Sequence, residues 1–530
     1  MEREAWVVTD CGSTTSKSIV FSNDNGNWRM IDWAVSPTTV EAPTADVTYG
    51  VKNSFQSLNE REGTKLLYNE SGFPKNFLAT SSAGGGLRVA VVALTKEITG
   101  EYLIEAALHA GAIISAVISL DDNDSMDVRI EKLRDAMPDI LIVAAGFKNS
   151  VPAGVIELVA LIKDAALVSR LDALIKIPLI FAGSKYVTQQ LDILKESYEL
   201  FSVETIAVSA REKSLLPTEE KIHTLFLESV MEHAPGYKKL LSHVSIPILP
   251  TPVAVSKILE AYSIHKSEKL LCIDMGGATT DIFSTGLTGI DRTVSSNVGM
   301  SYSSYYVFEK VGIAGFRKYL PLHISDEQIE ASIFNKMLRP TTIPSDANEQ
   351  EIEYALCRLG LEISYTSHVK IISRARQQKN KLSIENIFSQ NNQVESASYD
   401  RIIASGGVFS HCPNPDLIPW ILADGLSLSG ISEIVVDKVF MLPHLGMLYQ
   451  IRPDASMHIL EQDCLGAIGI FISIKKNDEI IVNSEKLIFN NNHRRQILEF
   501  KDGISVIKYK QKEKYFSLKF NKIYLEIVDS

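Results

Sequence analysis

The feature that most constrains this chain is a formula that occurs twice. An apolar run at Trp6-Val7-Val8 leads into Asp10-Cys11-Gly12-Ser13-Thr14-Thr15-Ser16-Lys17, and a second run, Ser18-Ile19-Val20-Phe21, follows. At Leu270-Leu271-Cys272-Ile273 another run leads into Asp274-Met275-Gly276-Gly277-Ala278-Thr279-Thr280-Asp281, with Ile282-Phe283 behind it. Apolar runs flanking small residues read as strand, tight turn, strand. Both segments therefore predict hairpins whose tips hold acids, glycines and hydroxyls. Such a tip can cradle phosphate oxygens. Backbone N–H groups, hydroxyls and the Lys17 ammonium are donors, glycine lets the backbone approach, and a neighbouring carboxylate can hold Mg²⁺ through its water shell. A third stretch, Ile402-Ile403-Ala404-Ser405-Gly406-Gly407-Val408-Phe409, ends a strand in a glycine pair against which a flat base and ribose could lie. Taken singly, the first could equally be a polar β-turn, while the second reads better as a tight hairpin capped by its acids and the third as an ordinary strand-to-helix junction.

The texture between and around these segments is α/β. Between Leu87 and Ala210, apolar runs at Val89–Val92, Ala116–Ile118, Ile140–Val143, Pro178–Phe181 and Thr205–Val208 alternate with helical stretches, which predicts a mostly parallel sheet. Residues 217–268 read as helical, broken at the proline-rich Pro247–Pro252, and 301–376 as helical with a break near Pro340–Pro344. After Ile472, short alternating runs among many Lys and Asn predict a small β domain. The expected parts are thus 1–86, an α/β insert at 87–215, linking helices at 216–268, a second main domain at 269–471 and the β domain at 472–530.

Taken in order, the three segments resemble the actin-like ATPase superfamily of actins, sugar kinases and heat-shock chaperones. The resemblance implies two ribonuclease-H-like domains and an ATP cleft. Asp10, Gly12, Ser13, Thr14, Thr15 and Lys17 would form phosphate hairpin one, and Asp274, Gly276, Gly277, Thr279, Thr280 and Asp281 hairpin two. Ser405, Gly406 and Gly407 would form the adenosine loop. Asp10 and Asp274 would hold Mg²⁺, and Asp10, Asp274 and Asp281 are the candidate catalytic acids. Four segments narrow the match: Ser81–Arg88, Ala106–Ala112, Leu271–Ser284 and Leu442-Pro443-His444-Leu445-Gly446 resemble the glutamate mutase accessory proteins (MutL/GlmL type), which are similar to the ATPase subunits of diol dehydratase reactivases. That resemblance implies an ATP/ADP-dependent, chaperone-like reactivating factor for an adenosylcobalamin-dependent mutase, glutamate mutase or a relative, in which slow hydrolysis opens and closes the domains.

Departures bound what carries over. Heat-shock chaperones place an acid before the Pro-Thr of the linking helix, and here Leu249 precedes Pro250-Thr251. Leucine cannot activate water, so turnover is expected to be slow unless one of the three acids takes that role. A small-molecule kinase on the same fold and a nucleotide-binding scaffold without turnover remain the rival readings. The loop Ala144–Ser150 lacks the glycines and acid expected after its strand. No D-x-H-x-x-G stretch is present, which argues against direct cobalamin binding in the manner of base-off domains. Gly84-Gly85-Gly86 does not follow a dinucleotide pattern. Cys11, His411 and His444 are read as structural residues. A net charge of −11 disfavours nucleic acid. Five scattered cysteines fit a reducing cytoplasm, and no apolar run approaches the ~20 residues that span a bilayer. The oligomeric state is not legible.

Overall fold

The computed structural model describes residues 4–528 except 13–14, 41–43, 61–67, 83–86, 111, 151–152, 170–174, 210–211, 226–234, 287–288, 296, 341, 381–398, 427, 429, 476–478, 483–485, 492–493, 500–514 and 519–522. Ser13, Thr14, Gly84, Gly85, Gly86 and the lysine-rich segment 508–514 lie outside the described residues. The chain divides into two compact units. Unit 1 comprises Met1–Ile258, Arg374–Ile387 and Met441–Gln462, and unit 2 comprises Leu259–Ser373, Phe388–Phe440 and Asp463–Ser530.

Unit 1 opens with three antiparallel strands, β1 (Ala5–Cys11), β2 (Thr15–Asp24) and β3 (Asn27–Pro37). The expected hairpin is thus extended by a third strand, whose alternating exposure leaves no continuous apolar run in its sequence. Helix α1 (Val47–Asn59) starts from Asp46, whose carboxylate accepts from the Thr48 N–H. It buries Val47, Val51, Phe55 and Leu58, and Phe55 meets Phe77 edge to face. β4 (Phe77–Ser81) then lies parallel to β1.

A doubly wound insert follows: β5 (Arg88–Ala93), α2 (Glu101–His109), β6 (Ile113–Ser119), α3 (Met126–Asp135), β7 (Ile140–Ala144), α4 (Val155–Ala165), β8 (Ile177–Phe181), α5 (Thr188–Leu191) and β9 (Tyr198–Ser202). Its strands are all parallel, in the order β6-β5-β7-β8-β9. The buried runs of β7 and β8 carry no exposed residue, as a sheet covered on both faces requires. One expected strand is displaced. Residues 205–208 form a turn over the end of β8, with Ile206 N–H donating to Ala182 O and Thr205 Oγ1 to Gly183 O. The fifth strand is Tyr198–Ser202, whose edge position leaves it half polar. Ile206 and Ala207 are buried in the core shared with β1, β4 and β5, and their pairing is limited to one isolated antiparallel bridge between Ala207 and Lys213, beside which Ser214 N–H donates to Ile206 O.

The chain returns to the first sheet through α6 (Leu216–Leu225), α7 (Tyr237–Leu241), the two-residue β10 (Leu249–Pro250) and α8 (Thr251–Lys266). The completed sheet has the order β10-β4-β1-β2-β3.

Unit 2 repeats that layout. Antiparallel β11 (Leu270–Met275), β12 (Thr280–Thr285) and β13 (Ile290–Ser295) are followed by α9 (Ser304–Arg317), α10 (Asp326–Leu338) and α11 (Ala347–Asn380). Then come β14 (Arg401–Ser405), α12 (Gly407–Ser410), α13 (Ile418–Leu426) and β15 (Gly430–Asp437), with β14 parallel to both β11 and β15. The order β13-β12-β11-β14-β15 mirrors β3-β2-β1-β4-β10 strand for strand. The next segment, part of unit 1, carries α14 (Leu442–Tyr449) and α15 (Pro453–Ile459).

The C-terminal region differs from an appended domain. β16 (Leu465–Lys475) runs through the boundary expected at 472 and pairs antiparallel with β15. β17 (Glu479–Val482), β18 (Lys486–Asn491) and β19 (Arg494–Glu499) form their own three-stranded sheet, while β20 (Tyr515–Leu518) and β21 (Ile523–Val528) extend the main sheet of unit 2 beyond β16.

Candidate functional site

Register, not proximity in sequence, assembles the first half of the site. Asp10 ends β1 opposite Lys17 of β2 and beside Thr80 of β4, and Thr80 is itself registered with Leu249 of β10. Neighbours in one register row share a sheet face, so Lys17, Asp10, Thr80 and Leu249 line up across four strands. Thr80 Oγ1 donates to Asp10 Oδ1 at 2.7 Å, and Thr251 Oγ1, at the start of α8, donates to the same oxygen at 2.6 Å. Asp10 is only 4% exposed, and among the described residues its Oδ2 accepts no hydrogen bond. Burial raises its pKa above the usual carboxylate range, opposed by the two threonine hydroxyls and by the charge of Lys17. A buried acid with one oxygen anchored and the other available is poised to accept a water, a hydrated cation or a proton.

The turn between β1 and β2 closes through Gly12 N–H to Thr15 O at 3.0 Å, and a Cβ on Gly12 would lie 2.8 Å from that same oxygen. Thr38 Oγ1 donates to the Gly12 carbonyl at 2.9 Å. Thr15 is exposed at the tip, whereas Lys17 is buried with its ammonium 4.6 Å from the Trp33 ring centroid. Cys11 is fully buried and burial pushes its thiol pKa up, which fits the expected core role.

Unit 2 repeats this geometry with altered charges. Asp274 ends β11 opposite Asp281 of β12 and beside Ser405 of β14. Gly276 N–H donates to Thr279 O at 2.9 Å, the counterpart of the Gly12–Thr15 closure. The segment after β13 clasps this turn: Met300 N–H and Ser301 N–H donate to the Gly276 and Gly277 carbonyls, and Ser303 Oγ donates to Ala278 O at 2.6 Å. A Cβ on Gly277 would meet Ser301 Oγ, so any other residue there would have to turn that hydroxyl aside. Thr280 is buried and its hydroxyl is committed to Val298 O at 2.8 Å. Asp281 is held by Arg292, whose Nε and Nη2 lie 2.8 and 2.5 Å from its Oδ1. Arg292 stands diagonally from Asp281 as Trp33 does from Lys17, so an ion pair replaces a cation–ring contact at corresponding positions. A carboxylate so engaged is a weak candidate for general base.

Ser405 is buried, and Gly406 follows at φ +103° with no space for a side chain, because a Cβ would overlap the Met275 carbonyl oxygen. Gly407 is exposed and open. The row continues to Asp437 at the end of β15, which is fully buried and accepts from Cys464 Sγ at 3.3 Å. Asp437 thus occupies in unit 2 the place that Leu249 holds in unit 1. His411 makes a local contact from Nδ1 to Gly407 O at 3.2 Å.

The structure therefore brings Asp10, Gly12, Thr15 and Lys17 together in unit 1, and Asp274, Gly276, Gly277, Thr279, Asp281, Ser405, Gly406 and Gly407 in unit 2. Sequence reasoning missed Thr80, Arg292 and Asp437, and did not give Thr251 its role. The Thr after Pro250 was visible as a helix start, and Asp437 as an acid ending the run Ile434-Val435-Val436. Thr80 and Arg292 had no signal apart from strand pairing. Among the described residues no three His, Cys, Asp or Glu side chains cluster as a metal site. Carboxylates that reach a cation through water and phosphate do not need such a cluster. Among the same residues no helix is long and apolar enough to cross a membrane.

The sequence matches the family described as MutL protein over residues 6–464. It is 25% identical over 486 residues to Protein MutL of Clostridium tetanomorphum, covering 87% of this chain and 99% of that one. Among solved structures, gluconate kinase from Lactobacillus acidophilus superposes with a TM-score of 0.35 at 10% identity, covering 89% of this chain and 94% of the kinase. Component A of (R)-2-hydroxyglutaryl-CoA dehydratase from Acidaminococcus fermentans gives 0.28 at 10% identity, covering 85% and 99%. Superpositions this loose add nothing to the fold, which rests on the chain's own sheets.

Proposed function

The chain belongs to the MutL protein family, and we propose that it is an ATP- and Mg²⁺-binding accessory factor that reactivates an adenosylcobalamin-dependent mutase, glutamate mutase or a relative. The five-stranded layout found once in each unit supports reading them as ribonuclease-H-like, actin-type ATPase domains, with 87–215 inserted in the first. The observation that carries the nucleotide reading is Asp10: a carboxylate 96% buried, anchored through one oxygen by two threonines and beside the buried Lys17. Keeping an ionisable group there costs stability, which a ligand-binding role explains.

Asp10 and Asp274 would hold Mg²⁺ through its water shell, and Lys17 with the turn amides of both hairpins would bind phosphate oxygens. The glycine at 406, where a Cβ would collide, keeps the backbone close-packed beside the proposed nucleotide. Bound Mg²⁺ would supply charge neutralisation for phosphoryl transfer.

Slow hydrolysis follows from the same residues. Leu249 offers no base, the Thr251 hydroxyl donates to Asp10, and Asp281 is paired with Arg292. Asp10 and Asp274 remain to orient water. Slow turnover suits a switch, since a nucleotide does conformational work only through different affinities for two states. Leu249 also favours a second reading, a nucleotide-binding scaffold without turnover.

Calorimetry of Mg²⁺-dependent ATP and ADP binding tests the proposal. Saturable binding is expected for the natural protein and loss of it for Asp10→Ala and Asp274→Ala. Absence of binding by the natural protein overturns the nucleotide reading. Repeated mutase reactivation by Asp274→Ala would overturn the ATP-driven cycle, and tight ATP binding with no phosphate release in the presence of the mutase would establish the scaffold.

A further inference from the structure

Helix α14 carries a side chain whose chemistry its packing does not explain. His444 is fully buried, and its Nε2 lies 3.0 Å from the Lys17 carbonyl oxygen. A carbonyl only accepts, so Nε2 bears the proton and Nδ1 is left as an acceptor. Nδ1 is buried and, among the described residues, has no hydrogen-bond partner. A buried acceptor left unsatisfied costs ~1–3 kcal/mol. Leucine or methionine would fill the same space without that cost. What histidine adds is a donor aimed at the backbone of Lys17.

The helix that presents this donor is fixed. Gly446, half a turn further on, lies so close to α8 that a Cβ would overlap the Ala254 carbonyl oxygen. Ser456 Oγ of α15 donates to the Leu445 carbonyl at 2.6 Å, bracing α14 from the other side. α8 in turn begins at Thr251, whose hydroxyl holds Asp10. The two residues that face each other across the β1–β2 ladder are thus each tied to a helix, Asp10 through its side chain to α8 and Lys17 through its backbone to α14. The two helices meet at Ala254 and Gly446.

We propose that His444 is a positioning residue for phosphate hairpin one: its neutral Nε2–H fixes the backbone of Lys17 and thereby the placement of the ammonium that meets the polyphosphate tail of the nucleotide. The assignment deepens the ATP-binding reading and rests on it. Neutrality is part of the device, because an imidazolium would stand against the Lys17 ammonium. Burial, with the Lys17 charge adding to it, keeps the ring neutral.

The test compares the natural protein with His444→Leu, His444→Gln and His444→Asn, each checked for a native circular-dichroism spectrum. Glutamine places an amide donor near the Nε2 position, whereas asparagine keeps polarity but is too short to reach it. Calorimetry with Mg²⁺ and ATP, ADP or adenosine is the first readout. Leu and Asn are expected to weaken ATP and ADP about tenfold, the loss of one hydrogen bond, while adenosine binding stays within about twofold. Gln should return ATP affinity to within about threefold of natural.

Amide hydrogen exchange across residues 15–18 without nucleotide is the second readout, with Leu and Asn speeding exchange and Gln not. Natural-like ATP affinity in a folded Leu variant overturns the proposal, as does equal weakening of adenosine and ATP or failure of Gln to differ from Asn. If the natural protein binds no nucleotide, the ATP reading fails. The exchange data still decide whether His444 holds the hairpin, and unchanged exchange in Leu and Asn refutes that too. Should Leu not fold, the Gln–Asn pair carries both readouts.

Discussion

Replacing His444 by glutamine should flatten part of the acid sensitivity of unit 1. Burial pulls the imidazole from 6.5 down to about 3. The unfolded chain therefore takes up a proton near pH 6.5 that the folded chain refuses until about pH 3. Where the unfolded state binds more protons, stability rises with pH. The contribution is present above pH 6.5 and is lost as pH falls towards the folded value. Integrating with those two values gives about 2 kcal/mol lost between pH 8 and pH 5. Because the folded value lies well below 5, moving it by one unit barely alters the result. Urea unfolding followed by tryptophan fluorescence reads unit 1 chiefly, since Trp6, Trp28 and Trp33 belong to it and Trp420 to unit 2. The natural protein should lose about 2 kcal/mol more than His444→Gln between those pH values. His243, whose pKa is also lowered by burial and by Lys52, titrates in both proteins and cancels. Identical pH slopes would show that His444 takes up its proton in the fold as readily as in the unfolded chain, and the neutrality of the ring beside Lys17 would fall with it.

Asp10→Asn should raise the thermal midpoint of the nucleotide-free protein at pH 8 while abolishing Mg²⁺-dependent ATP binding. Burial raises the folded pKa of Asp10, so its stabilisation is present below the unfolded value and is lost as pH rises through the folded one. The amide keeps both threonine bonds without that loss. Thr251→Val should cost about 1–3 kcal/mol in unfolding free energy and weaken ATP binding; no change in either would remove Thr251 from the site. Arg292→Met should cost about 3–5 kcal/mol by stranding Asp281, with Asp281→Asn in the same chain recovering most of it. Gly406→Ala, at φ +103° and against the Met275 carbonyl, should abolish ATP binding or expression of folded protein, and a soluble variant with natural affinity would refute the assigned backbone geometry.

Much of the candidate site was legible in the chain because its parts are local. Gly12 closing on Thr15 and Gly276 closing on Thr279 are four-residue turns whose composition announces them. Gly406 reads as the end of a buried strand for the same reason. The insert was legible because strands covered on both faces become continuous apolar runs, as in β7 and β8. The same logic misplaced the fifth strand, since an apolar run records burial and Ile206 is buried outside the parallel sheet, beside a single bridge. It also hid β3, which is half polar, and placed a boundary at 472 inside β16.

The sequence by itself determined the local groups from which a nucleotide site is proposed: three acids, two glycine turns, a lysine and a glycine pair, each defined within eight residues of chain. Only the tertiary structure decided what those groups are able to do. Pairing of β4 and β10 beside β1 brings Thr80 and Thr251 to Asp10 and Leu249 into the position that Asp437 fills in unit 2. Pairing of β12 with β13 engages Asp281 with Arg292, and α14 brings His444 to Lys17 across 427 residues of sequence. These partners act through burial and direction, which depend on strand register and helix packing and therefore leave no local pattern in the chain.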